Sequence, residues 1–129
     1  MAAEDAPIDV VRRFCEAWGD RDVDALMGFF TDDAVYHNMP IAPVSGRDDI
    51  KATIEGFAGG AEHIEFRVLA AASEGPLVFT ERVDVFTLPG ATVELPVAGV
   101  FEVTDGKIAA WRDYFDLNQF MSQLPSGES

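Results

Sequence analysis

The sequence predicts an α+β fold: a curved, mixed but mostly antiparallel sheet packed against N-terminal helices, forming a cone with an internal pocket. Three observations lead there. Apolar residues recur at spacings of three and four up to Gly60, then at a spacing of two from His63 onward. Turn dipeptides separate the later segments, as in antiparallel hairpins. The length, 129 residues, suits one domain (1–129, core about 7–124) with one sizeable core. Helices followed by consecutive strands put the helices on one face of the sheet.

In "APIDVVRRFCEAWGDRD", Ile8, Val11, Cys15 and Trp18 share a helical stripe, with Pro7 at the start and Gly19 at the stop. Asp22 is placed to cap a second helix carrying Val23, Leu26, Met27 and Phe30, giving a helical hairpin. A short strand is expected around 34–39, "AVYHNM". A third helix fits "GRDDIKATIEGFAGG", with Asp48 near its start, Ile50, Ile54 and Phe57 inward, and Gly59-Gly60 at its end. In "EHIEFRVLA", Ile64, Phe66 and Val68 alternate with Glu65 and Arg67, a half-buried strand. Gly75-Pro76 turns into "LVFTERVDVF" and Pro89-Gly90 into "TVELPVAGVFEV", where Pro96 calls for a bulge or an edge. Asp105-Gly106 is a strong hairpin signal before "KIAAWRDYF". Asp116 opens a last helical turn or two with Leu117, Phe120, Met121 and Leu124 on one stripe, and "PSGES" reads as a frayed tail.

The formal net charge is -14, from nine basic and 23 acidic residues. Such a surface repels phosphate backbones and anionic lipids, so neither nucleic acid nor a membrane is an expected partner, and the acidity serves solubility. The first residues carry acids where a signal peptide carries bases, and no run of about 18 apolar residues occurs. The single cysteine, Cys15, forms no internal bridge and fits a packed core in a reducing compartment. The expected location is the cytoplasm.

Chemistry concentrates in three stretches. In "TERVDVF", Thr80, Arg82, Asp84 and Phe86 share one strand face. Facing water, Arg82 and Asp84 would be an ordinary surface ion pair. In "AAWRDYF", however, Trp111, Asp113 and Phe115 share a face, and a carboxylate between two aromatics needs a partner. Arg82 can be that partner, because its fork of donors can hold a carboxylate on each side. In "VYHNMP", Tyr36 and Asn38 share a face and can hold a water molecule, or be satisfied by the backbone. His37 and His63 join no metal-like cluster and read as structural or exposed. No phosphate loop, zinc spacing or nucleophile elbow is present.

Together, "VYHNMP", "TERVDVF" and "GVFEVTDGKIAAWRDYFDL" resemble the limonene-1,2-epoxide hydrolases, a branch of the cone-shaped superfamily of nuclear transport factor 2. The resemblance runs from about residue 8 to 121. It implies that Asp113 is the base that activates a water, helped by Tyr36 and Asn38, that Asp84 is the acid, and that Arg82 bridges the two carboxylates. It further implies direct attack of water on a small or medium apolar epoxide, no metal or cofactor, and a homodimer. The residues themselves leave open which carboxyl holds the proton. Phe86, Leu95, Val97, Trp111 and Phe115 are expected to wall the substrate pocket. Two other readings fit a cone with an acidic, apolar pocket: an isomerase or cyclase of steroid- or polyketide-like compounds, and a non-catalytic binding module.

Overall fold

A computed structural model describes residues 6–124. The expectations for the first residues and for "PSGES" lie outside that range. Helix α1 (Pro7–Ala17) starts on Pro7 and buries Val10, Val11, Phe14 and Cys15. It tightens into a single 3-10 turn, Trp18–Asp20, instead of stopping at Gly19. The left-handed residue that ends the turn is Arg21, with φ 53°, and its guanidinium donates to the Ala61 carbonyl at 2.6 Å. Helix α2 (Val23–Met27) is capped by Asp22, whose carboxylate accepts the Ala25 N–H at 3.2 Å. It is shorter than expected: Phe30 does not belong to it but opens strand β1 (Phe30–Asn38).

A two-residue strand β2 (Val44–Ser45) leads into α3 (Arg47–Gly59), which buries Ile50 and Ile54 and carries Asp48 and Asp49 in its first turn. Four strands follow: β3 (His63–Glu74), β4 (Leu77–Leu88), β5 (Ala91–Thr104) and β6 (Lys107–Tyr114). The hairpin from β5 to β6 turns on Asp105 and Gly106 with φ 51° and 77°, as the sequence predicts. Helix α4 (Leu117–Met121) is capped by Asp116, which accepts the N–H groups of Asn118 and Gln119. Met121 is 55% exposed, so the expected inward stripe of α4 reduces to Leu117, Phe120 and Leu124.

The sheet order is β2-β1-β6-β5-β4-β3. All neighbours are antiparallel except β1 and β6, which run parallel, so the sheet is mixed. Strand β5 pairs with β6 only from Ala98 onward. Pro96 lies beyond that point, where β5 has a neighbour on one side only and the missing N–H costs no ladder bond.

The helices cover one face of the sheet with an aromatic core. Phe14 meets Trp111 edge-on at 4.9 Å, and Trp18 stacks on Phe66 at 4.5 Å. Each fully buried ring of this kind contributes about 1.5–3 kcal/mol through lost apolar surface. A second, smaller apolar cluster gathers Val93, Leu95 and Val97 of β5 with Phe86 and Leu88 of β4 and Phe120 of α4. Among the described residues no helix is long and apolar enough to cross a membrane.

Candidate active site

Strand pairing brings the three chemical stretches together. Thr80 on β4, Gly99 on β5 and Asp113 on β6 are consecutive partners across the sheet. On the other side of β6, Tyr36 is opposite Trp111 and Asn38 opposite Asp113. All these side chains point to the helix-covered face, because residues two apart on a strand share a face.

Arg82 is 1% exposed, Asp84 3% and Asp113 4%. Arg82 holds Asp84 with a fork: Nε donates to Oδ1 at 2.9 Å and Nη2 to Oδ2 at 2.8 Å. It also reaches across β5 to Asp113, with Nη2 donating to Oδ2 at 2.9 Å and Nη1 to Oδ1 at 3.3 Å. The remaining Nη1 donor goes to the Thr80 hydroxyl at 3.2 Å, which donates onward to the Gly99 carbonyl at 3.4 Å. The five guanidinium donors are therefore all used. The Phe66 ring covers the guanidinium at 4.9 Å from its centroid.

Two residues build this cluster without having been singled out for it. Gly99 lies directly beneath the bridge: a Cβ there would stand 2.4 Å from Arg82 Nη1 and 2.8 Å from Asp113 Oδ1. Only glycine lets Arg82 cross β5. A glycine within an otherwise apolar alternation was the available signal. Trp111, expected on the pocket wall, is instead fully buried beneath it. Its Nε1–H donates to Asp113 Oδ1 at 2.7 Å, and its ring stacks on Tyr36 at 4.0 Å. The parallel pairing of β1 and β6 makes that stack, and a parallel neighbour is hard to foresee for a chain rich in hairpins.

Electrostatics separates the members. Burial pushes the Asp84 carboxyl up to about 6; Arg82 works against this, and Asp113 adds to it. Burial opposes the charge on Arg82, but Asp113 and Asp84 outweigh it and hold the guanidinium protonated more firmly than usual. Burial, with Asp113 adding, raises Tyr36 well above the ordinary phenol value, so it stays neutral. Cys15, packed in the core, is pushed up to about 12 by burial and is inert as a thiolate.

Asp84, Asp113, Tyr36 and Asn38 all face one cavity, with about 540 Å³ of empty space counted into its open mouth. Phe86, Leu95, Val97 and Phe115 line it, together with Ile41, Phe57, Phe66, Leu117 and Phe120. Arg82 lies behind the two carboxylates, off the cavity wall. His63 is exposed, and His37 keeps its ring nitrogen 3.0 Å from the Ile41 carbonyl; neither lines the cavity. Two carboxyls joined by one cation in an apolar cavity, with the Asp84 carboxyl raised by burial, form a set that can give and take a proton.

The family model for the limonene-1,2-epoxide hydrolase catalytic domain matches residues 5–126. The epoxide hydrolase EphG of Mycobacterium tuberculosis is 33% identical over 117 residues, covering 91% of this chain and 78% of that protein. The structure of an M. tuberculosis epoxide hydrolase of this type superposes with a TM-score of 0.80 at 31% identity, covering 90% of this chain and 86% of that one. The structure of a SnoaL-like protein from Shewanella putrefaciens reaches a TM-score of 0.81 at 16% identity, covering 91% of this chain and 94% of that one, and shows the cone fold alone. A family match over nearly the whole chain, with a relative a third identical, settles the assignment: the chain belongs to the limonene-1,2-epoxide hydrolase family and is an epoxide hydrolase.

Proposed function

We propose that the protein adds water directly to a small or medium apolar epoxide in one step, giving a vicinal diol. The observation that carries this reading is the Asp84–Arg82–Asp113 bridge, with both carboxylates turned to one apolar cavity. Tyr36 and Asn38 hold a water beside Asp113, and Asp113 takes its proton as the oxygen attacks an epoxide carbon. The carbon–oxygen bond behind that carbon breaks, and Asp84 gives its proton to the departing oxygen. Asp84 suits the acid role because burial raises its proton affinity to the region where a general acid works. The trio starts with one carboxyl proton and ends with one, now on Asp113, so the guanidinium faces the same total charge throughout. Return of that proton to Asp84 closes the cycle.

Incubation with cyclohexene oxide and limonene oxide tests the activity, and no diol from a panel of such epoxides would sink it. A single turnover in heavy-oxygen water tests the mechanism: the label enters the diol and no aspartate. Proton exchange α to a ketone without epoxide turnover would move the reading to an isomerase or cyclase. The family resemblance extends the proposal to a cofactor-independent homodimer, and the sequence reading to a single domain in the cytoplasm. Light scattering of the purified protein checks the dimer.

A further inference from the structure

We propose that the catalytic cavity is the inner half of a longer channel, whose outer half receives the hydrocarbon arm of a neutral, elongated epoxide. This rests on the epoxide-hydrolase reading above and names the shape of the substrate. A second apolar pocket, about 450 Å³ of empty space counted into open solvent, lies between α3, α4 and the ends of β4 and β5. It shares Phe57, Phe86 and Phe120 with the catalytic cavity, so these three rings lie between the two compartments. Phe57 and Phe86 meet at 6.3 Å with a tilt of 46°, and all three are half-buried.

Strands β4 and β5 both run from the first compartment into the second. Along β4 the inward row is Asp84, Phe86, Leu88; along β5 it is Val97, Leu95, Val93. The β4 row passes from a carboxylate to hydrocarbon over ~13 Å at strand rise, and the β5 row beside it is hydrocarbon throughout. Glycines keep the outer compartment open. Gly56 and Gly60 line it, neither has positive φ, and a Cβ on either would meet nothing within 4 Å. Gly56 also weakens α3, since glycine within a helix is less favourable than alanine. Backbone geometry asks for neither glycine, and a large side chain at either would fill the pocket. No charged residue lines this compartment, and the chain carries a net charge of -14, so an arm ending in a carboxylate finds no counter-charge.

Unreactive n-alkyl amides from butanamide to decanamide, titrated by calorimetry into the wild-type protein and Gly56→Trp, test the channel independently of turnover. The wild type is expected to bind two- to fourfold more tightly per added methylene, up to about the full transfer value. Gly56→Trp should lose that gain while binding butanamide within about twofold of wild type. An ω-carboxylate on the longest amide should cancel most of the gain. Gly60→Trp repeats the block should Gly56→Trp fold poorly. Flat affinity across the series in the wild type, or a gain that survives in both folded variants, overturns the channel. Turnover of 1,2-epoxybutane and 1,2-epoxydecane, run beside the titration, separates the two proposals. Rising amide affinity with no diol refutes the reaction and keeps the channel; diol with flat affinity does the reverse.

Discussion

Two neighbouring strands carry the same motif with opposite outcomes. On β3, Arg67 Nη2 meets Glu65 Oε1 at 3.0 Å, and both side chains are 48% exposed. On β4, Arg82 Nη2 meets Asp84 Oδ2 at 2.8 Å, with the side chains 0% and 5% exposed. In both strands the acid and the Arg are two residues apart. The pairing puts Phe66 opposite Asp84 and Val68 opposite Arg82, so β3 turns its charges outward where β4 turns them inward. Arg67 holds the Glu65 carboxyl below its usual value. Asp84 has the tighter arginine contact yet moves the other way, because burial outweighs it. Contact length is nearly equal; exclusion of water changes a solvated pair into a proton-holding one.

The most severe way to break the contrast is Arg82→Met. Among the described residues it leaves the Asp84 carboxylate without a hydrogen-bond donor and the Asp113 carboxylate with only the Trp111 N–H. Removing one partner of a buried ion cluster typically costs about 3–5 kcal/mol. A fall of that size in unfolding free energy is expected, together with loss of diol formation, measured by urea denaturation and product assay. Gly99→Ala should come next. Its methyl group would stand 2.4 Å from Arg82 Nη1 and 2.8 Å from Asp113 Oδ1, in a layer with Trp111 beneath and Phe66 above. Displacing the guanidinium should cost about 1–3 kcal/mol of stability, as overpacking does, and about 10²-fold or more in kcat. Wild-type turnover by Gly99→Ala would mean that the bridge has slack that this packing denies.

The same contrast explains what the sequence could tell. Glu65 and Arg67 were legible as a solvent face because Ile64, Phe66 and Val68 alternate with them. For Arg82 and Asp84 no such alternation exists: Val83 and Val85 on the opposite face are apolar too. Their inward turn became readable only with Asp113 between Trp111 and Phe115. The hairpin strands were legible because Asp105-Gly106 and Gly90 impose local geometry. The extent of β1 was not, since Phe30 continues the helical spacing and its parallel partner β6 lies far along the chain. The Trp111 misplacement has the same origin: the face was right, but depth on that face depends on the partner strand.

Milder changes sharpen the contrast without breaking it. Trp111→Phe keeps a ring against Tyr36 but removes the donor to Asp113 Oδ1. Losing one buried hydrogen bond to a charged group is worth about 1.5–3 kcal/mol. A roughly 10-fold to 100-fold fall in kcat with KM nearly unchanged would mark Trp111 as a positioning residue; an equal rise in KM would not. The raised Asp84 value predicts two pH effects. Diol formation should decline as pH rises through about 6, because the acid loses its proton. Between the ordinary value of 3.8 and about 6, the folded state keeps a proton that the unfolded state has released. Stability from this group is therefore present below 3.8 and falls as pH rises through about 6. Comparing urea midpoints of wild type and Asp84→Asn at several pH values isolates that slope from the other acids.

The smallest expected effect is the most pointed control. Arg67→Met makes the same substitution as Arg82→Met in a motif of the same spacing, one strand away. Glu65 is fully hydrated without its partner, so no buried charge is stranded and the lost attraction is replaced by water. The urea midpoint, kcat and the pH profile should all match wild type within error. The expectation holds at low salt too, where an exposed pair has its best chance to register. Should Arg67→Met destabilise the protein as much as Arg82→Met does, water exclusion would no longer distinguish the two strands. The opposite shifts of the Glu65 and Asp84 carboxyls would then have to come from the second carboxylate, Asp113, which Arg82 reaches and Arg67 does not.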